Sequence, residues 1–280
     1  MSSRTARESP EEDGASGDTM ISFANVEKVY GTDSAEEPVT ALQDIDLNIE
    51  QGEFVSVVGP SGCGKTTLLH LAAGILEPTS GSVEINGVDV NGPEHKRNEL
   101  GLVFQHPVAL QWRTVRKNVM LPVQILKENG EIGEDMDHYR QRADDLLSLV
   151  GLEGFGDAYP NELSGGMQQR LTITQSLIYE PSVLLMDEPF GSLDAMTKDE
   201  LNVELLRIWN ETGKTVLFIT HDLDEAVFLS DRVVVLSPRP GRIVDDIKID
   251  LSRPRNEDTR GSERFVELST EIHRHFKSHR

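Results

Sequence analysis

The stretch "FVSVVGPSGCGKTT", residues 54–67, decides how the rest of the chain is read. Its first five residues form an unbroken, mostly apolar run, the pattern of a short strand covered on both faces. Gly59 to Thr66 then match G-x-x-x-x-G-K-[ST], and "KTTLLHLAAG" (65–74) reads as a helix closed by Gly74. Strand, glycine loop and helix in that order make a phosphate cradle. The loop Gly59, Pro60, Ser61, Gly62, Cys63 and Gly64 wraps phosphate through the N–H groups of its residues other than Pro60, because bare backbone approaches an anion closely and the helix dipole favours it. Lys65 supplies charge at the β and γ positions, Thr66 offers a hydroxyl to Mg²⁺, and Thr67 continues the first helical turn. A nucleoside triphosphate with Mg²⁺ is the expected ligand.

Outward from that loop the chain alternates. Strand patterns at 20–30 and 44–50 flank a polar loop, and further strands are expected at 82–87 and 100–105. From about 114 to 152 the pattern is helical and charged, broken by "KENGEIGED" at 127–135. From Gly165 the order is helix, strand "SVLLMD", helix, strand "TVLFIT", helix, strand "RVVVLS". This alternation predicts an α/β fold with a parallel sheet interrupted by a helical insertion. The expected boundaries are a disordered acidic lead over 1–19 and a nucleotide-binding domain over 20–237, with the insertion at about 106–165. A C-terminal strand and a short surface helix are expected over 238–280.

Composition bounds the partners. With 27 Lys and Arg against 48 Asp and Glu, the 280 residues carry a formal charge of −21, which opposes nucleic acid as a partner. Only nine of the basic residues are lysines. An acidic, lysine-poor surface suits a cytoplasm at molar salt, where self-repulsion is screened within about 3 Å; a halophilic source is therefore expected. Cys63 is the single cysteine, so neither a disulfide within the chain nor a cysteine metal site is available. The N-terminal stretch has no apolar core of a secretory signal and no run approaches a membrane span, so a cytoplasmic location is expected. "HRHFKSH" (273–279) could hold a metal, but a solvated helix face is the plainer reading.

Two further stretches carry chemistry. "SVLLMDEP" (182–189) ends a strand on two acids. Asp187 is placed to hold Mg²⁺ through water, and Glu188, pointing differently, is free to polarise a water for attack on the γ-phosphate. "LSGGMQQR" (163–170) is a second glycine-rich helix start, with Ser164, Gly165 and Gly166 forming an anion site that has no cation nearby in sequence. A chain holding one nucleotide needs one such loop, and this chain has two.

At this point the chain resembles the nucleotide-binding subunit of ABC transporters, from about residue 20 to 237. "LSGGMQQR" is similar to that family's signature, followed by "LLMDEP", "GSLD" and "ITHD". The resemblance implies a P-loop ATPase of the ABC type, with an N-terminal antiparallel β-subdomain beside the mainly parallel core. It implies two copies packed head to tail, so that Ser164, Gly165 and Gly166 of one face the γ-phosphate held by the other. It implies that Tyr30 stacks on adenine, that Gln105 senses Mg²⁺ and water, that Asp194 crosses the dimer interface and that His221 contacts the γ-phosphate. Cys63 is expected to fill space within the loop. "QWRTVRKNVMLPVQ" (111–124) and "SPRPGRIV" (237–244) resemble importers of nitrate, sulfonate, taurine and related small anions. His106 stands where such relatives often carry an acid, and Met167 and Gln168 also depart from the usual pattern.

The implied partners are integral membrane permease subunits and, indirectly, an extracytoplasmic solute-binding protein. The implied location is the cytoplasmic face of the cell membrane. Pyrimidine-precursor importers share much of the pattern, and a soluble ABC ATPase outside transport is the alternative class. With the sequence ending near Arg280, the regulatory barrel of some sugar and polyamine relatives is not expected.

Overall fold

A computed structural model describes residues 18–31, 37–133 and 135–278. In chain order the strands are β1 (Thr19–Tyr30), β2 (Val39–Glu50) and β3 (Phe54–Val58), followed by helix α1 (Lys65–Ala72). Then come β4 (Ser80–Ile85), β5 (Val88–Asp89) and β6 (Leu100–Val103). The insertion holds α2 (Val115–Val119), α3 (Leu121–Glu128) and α4 (Met136–Leu149). It leads into α5 (Gly165–Leu177), β7 (Val183–Asp187), α6 (Ala195–Thr212), β8 (Thr215–Ile219), α7 (Leu223–Leu229) and β9 (Arg232–Leu236). The chain closes through β10 (Ile243–Lys248), α8 (Glu257–Arg260) and α9 (Glu263–Ser278).

Two sheets result. The larger has the order β10-β9-β3-β8-β7-β6, parallel from β9 to β6, with β10 antiparallel at one edge. The smaller is antiparallel, ordered β2-β1-β4-β5. Helix α1 lies between them, touching β2 and β4 on one side and β7 and β8 on the other. The mainly parallel core, the antiparallel N-terminal sheet and the helical insertion match the fold expected from the sequence.

Strand β3 explains its own sequence. Phe54 and Val58 pack into a cluster with Phe190, Phe218 and Phe228 on one face of the sheet, whereas Val55 and Val57 join Ile21, Phe23, Leu68 and Leu69 on the other. All five of its residues are buried, so no polar alternation survives. Each such side chain contributes about 1.5–3 kcal/mol of burial, which makes β3 a rigid platform for the loop it launches. The parallel strands β3, β7 and β8 all deliver their C-terminal ends to the same edge, where the loops after each can converge.

Two expectations change at the termini. Residues 1–17 of the expected disordered lead lie outside the described residues, and Thr19, assigned to that lead, opens β1 and pairs with Glu50. The expected short surface helix at the C-terminus is instead α9, 16 residues long, with Phe265, Leu268 and Ile272 buried. Those three apolar residues are spaced for one helix face amid charged neighbours, and α9 packs against α7, β9 and β10. Among the described residues no helix is long and apolar enough to cross a membrane.

Candidate active site

The glycine loop lies at the C-terminal end of β3 and opens α1 through Gly64, whose φ is +106°. A side chain is excluded there twice over. L residues rarely adopt that backbone, and a Cβ would lie 2.6 Å from Leu42 Cδ2 and 3.0 Å from the Ala41 carbonyl oxygen. Lys65 is almost fully buried, and its ammonium donates to Gly59 O at 2.8 Å and Pro60 O at 3.3 Å. The cation is thus held inside the loop by carbonyls, with no carboxylate at ion-pair distance among the described residues. Cys63 is buried behind the loop, and burial pushes its thiol pKa up despite Lys65, which pulls it down.

An open cleft of about 400 Å³ is lined by Tyr30, Ser61, Gly62, Gly64, Lys65, Thr66, Thr67, Glu188 and His221, together with Val39, Ala41 and Arg239. Tyr30 closes β1, and its hydroxyl lies 3.3 Å from Thr67 Oγ1. Tyr30 is 40% exposed, with Lys28 Nζ 5.3 Å from its ring centroid.

On the opposite wall, β7 ends at Asp187. Thr66 Oγ1 donates to Asp187 Oδ1 at 3.4 Å across 121 residues of chain. Burial raises the Asp187 carboxyl above the usual range, and the neighbouring Glu188 adds to this, against the Thr66 hydroxyl, His70 and Lys65. A hydroxyl and a carboxylate facing each other beside a phosphate loop are hard oxygen donors of the kind Mg²⁺ takes. The residues present fit that ion, which would supply charge to the phosphates.

Glu188 departs from β7 with φ at +45°, a left-handed backbone that costs a non-glycine residue about 1–2 kcal/mol. The turn is fixed on both sides: Glu188 N donates to Ile219 O at 2.9 Å, and Gly191 N donates to Glu188 O at 3.0 Å. Phe190, buried against Phe218, anchors it. The left-handed step turns Glu188 away from Asp187, and its Oε2 meets His221 Nδ1 at 2.9 Å. Gln105, exposed after β6, reaches the same spot. A Cβ on Gly191 would lie 3.4 Å from Gln105 Nε2 and 3.5 Å from Glu188 Oε2.

Four candidates stand apart from this group. Ser164 caps α5 by accepting from Met167 N at 3.3 Å, with Gly165 exposed beside it. Asp194 caps α6, accepting from Thr197 N at 3.1 Å and Thr197 Oγ1 at 2.8 Å, and these bonds hold its carboxyl below the usual range. Ser164, Gly165, Gly166 and Asp194 do not line the cleft. Gly165 and Gly166 lie instead against residues flanking Asp194: a Cβ on Gly166 would lie 2.8 Å from Thr197 Cγ2, and one on Gly165 would lie 3.4 Å from Leu193 Cδ2.

Sequence reasoning missed two features. Arg239 lines the cleft, and its Nε donates to Gly62 O at 3.3 Å; "SPRPGRIV" had been read only as a mark of branch. Lys198, one turn into α6, ties Asp222 at 2.7 Å and Glu225 at 3.5 Å, and so links the helix after Asp194 to the segment after His221.

Comparison with known proteins follows the same lines. A family model described as "ABC transporter" matches residues 42–191. The chain is 49% identical over 236 residues to an uncharacterized ABC transporter ATP-binding protein of Methanocaldococcus jannaschii, covering 84% of this chain and 83% of that one. It is 46% identical to a taurine import ATP-binding protein of Jannaschia sp., over 75% of each chain. A solved dimeric ATP-binding cassette in a post-hydrolysis state, bound to ADP and Pi, superposes with a TM-score of 0.70 at 33% identity. That match covers 83% of this chain and all of the other.

Proposed function

This chain belongs to the ABC transporter family and is an ATPase, and from that premise we propose that it is the energy-coupling subunit of an importer for a small anionic or polar solute. The observation that carries the transport reading is a second, apolar depression of about 320 Å³ beside Gln105. Leu102, Phe104, Val108, Pro122 and Ile125 are among its lining residues, and Phe104, Val108 and Ile125 are exposed. Exposed apolar surface of this kind on an otherwise strongly acidic protein calls for a partner. A membrane permease seated there would touch the segment that carries Gln105, one step from Glu188. The name of the taurine relative supports import of a small polar solute.

In the mechanism we infer, Tyr30 stacks on the base while Lys65 exchanges its loop carbonyls for phosphate oxygens. Thr66 and Asp187 would hold Mg²⁺, which would supply charge to the phosphates. Glu188 orients the attacking water and accepts its proton. His221, at hydrogen-bond distance from Glu188, fixes that carboxylate and reaches toward the γ-phosphate. Ser164, Gly165 and Gly166 of a second copy complete the pocket, a reading supported by the dimeric state of the solved relative. ATP closes the pair, the insertion shifts against Gln105 and the permease changes access; hydrolysis reopens it. An extracytoplasmic binding protein delivers the solute, and the subunit sits on the cytoplasmic face of the membrane. The net charge of −21 supports work at molar salt; equal stability with and without molar KCl would count against that.

The deciding experiment is co-purification from detergent-solubilised membranes of the native host at native salt. A polytopic permease should accompany the wild-type chain, and Ile125→Asp should release it while leaving ATP turnover in place. Recovery only from the soluble fraction with ribosomes or nucleic acid would overturn the transport reading.

A further inference from the structure

The segment 237–242 is built as a wedge against the phosphate loop. Ser237 N donates to Arg242 O at 2.9 Å, Arg242 N donates to Ser237 Oγ at 3.0 Å, and that hydroxyl donates to Pro240 O at 2.9 Å. The turn is then pinned to β2, with Gly241 N donating to Ala41 O and Gln43 N donating to Gly241 O, both at 2.9 Å. Gly241 presses so closely on the loop that a Cβ would fall 2.1 Å from Cys63 O. This scaffold presents one side chain to the cleft, that of Arg239.

Its guanidinium has no carboxylate partner among the described residues, although the chain carries a large acidic excess. Arg232, Arg253 and Arg264 are each paired with acids, by contrast. The partner of Arg239 is a loop carbonyl, Gly62 O, at a long 3.3 Å. Its Nη2 hovers 3.4 Å from where a Cβ on Gly62 would be. Lys65 is the other cation lining the cleft, and it too rests on loop carbonyls. A planar, permanently charged donor set held loosely at a phosphate loop is suited to phosphate oxygens.

We propose that Arg239 is a second phosphate-binding cation of the site, exchanging its bond to Gly62 O for the polyphosphate of the bound nucleotide. This rests on the ATPase reading above and adds to it a residue from the segment after β9. Arg239 works from the solvent side of the loop, whereas Lys65 works from within.

The test is calorimetric titration of MgATP into the full chain, comparing wild type, Arg239→Ala, Arg239→Gln, Arg239→Lys and Lys65→Ala, with unfolding curves for each. Arg239→Ala and Arg239→Gln should weaken ATP binding about tenfold, the low end for a charge-assisted bond at an exposed site. Arg239→Lys should keep most of the affinity because the charge remains. The gap between wild type and Arg239→Ala should shrink as salt screens the exposed charge. Wild-type affinity in Arg239→Ala, with Lys65→Ala impaired, overturns this assignment and leaves the ATPase reading standing. Intact affinity in Lys65→Ala as well would bring down the reading on which it rests. Normal ATP affinity with lost ATP-dependent dimerisation in Arg239→Ala would overturn the phosphate assignment in favour of contact with the second copy. A salt-independent loss, equal in Arg239→Lys, would mark a merely structural role and also overturn it.

Discussion

Replacing Lys198 by Met should destabilise the protein in a way that depends on pH. Lys198 is 15% exposed and lies between Asp222 and Glu225; Glu225 is 3% exposed and also accepts a hydrogen bond from Thr220 Oγ1. Burial raises the Glu225 carboxyl above the usual range, although Lys198 and Thr220 pull the other way. Burial alone would lower Lys198, but Glu225 and Asp222 raise it on balance. Burial opposes ionisation of Asp222 too, and the Lys198 bond and the Glu225 amide more than offset it, leaving that carboxyl low. Removing one partner of a buried pair costs about 3–5 kcal/mol. Because Asp222 is 38% exposed and can turn to water, the lower end applies, about 3 kcal/mol. In a chain of this size that is a fall in Tm of about 6–10 °C.

The sign of the pH dependence follows from Glu225. A carboxyl whose folded pKa is raised penalises the native state above that pKa, and the penalty fades as pH falls through it. Without Lys198 the pKa rises further, so the loss is full in mild alkali and shrinks as pH falls toward the carboxylate range. Asp222, with its lowered pKa, contributes stability above its unfolded value and loses it only in stronger acid, so it does not mask the effect. Thermal unfolding between about pH 5.5 and 8.5 tests this, with Lys198→Met/Glu225→Gln expected to recover most of the loss. A deficit independent of pH, or a double variant no better than the single one, would refute the reasoning.

Glu188→Gln should cut ATP turnover at least about 10²-fold and trap an ATP-bound dimer on size-exclusion chromatography; a wild-type rate would sink the role given to that carboxylate. Gly241→Ala should cost about 2 kcal/mol and weaken MgATP binding, since the new methyl meets a backbone carbonyl that must move the phosphate loop. Unchanged affinity there would mean that the wedge and the loop are mechanically independent. Cys63, buried and with a raised pKa, should resist maleimide in the folded protein and react in denaturant. Full alkylation of native protein with activity intact would contradict its place behind the loop.

The legible parts of this molecule are those whose chemistry is local. Residues 54–67 carry strand, loop and cation in one unbroken run, and Asp187 and Glu188 follow an equally plain buried strand. Tyr30, 37 residues from Thr67, ends its strand with its hydroxyl 3.3 Å from Thr67 Oγ1. What escaped is pairing that leaves no local mark. Arg239 meets Gly62 across 177 residues, and nothing in "SPRPGRIV" says that the turn folds back onto the loop. Lys198 looks like an ordinary surface lysine of a charged helix until α7 brings Asp222 and Glu225 to it. The buried stripe of α9 was obscured because the residues between Phe265, Leu268 and Ile272 are mostly polar or charged.

The second glycine loop is best argued through its own helix. Ser164 and Gly165 are exposed, and α5 has no acid in its first turn, so the positive end of a 13-residue helix has no countercharge from its own first turn. Neither residue lines the cleft that holds Lys65. In the proposed dimer a second copy supplies the missing anion as ATP. Gly165→Asp would supply it covalently. The new side chain has room, since a Cβ there makes only one close contact, 3.4 Å from the flexible end of Leu193. A carboxylate at this position should stabilise the isolated chain by about 0.3–1 kcal/mol and leave its own MgATP binding intact. It should abolish ATP-induced dimerisation and turnover, because the approaching γ-phosphate now meets a like charge. Equilibrium unfolding, calorimetry and light scattering read the three effects separately. Dimerisation that survives Gly165→Asp would show that the helix end does not face phosphate, and the head-to-tail arrangement would fall with it.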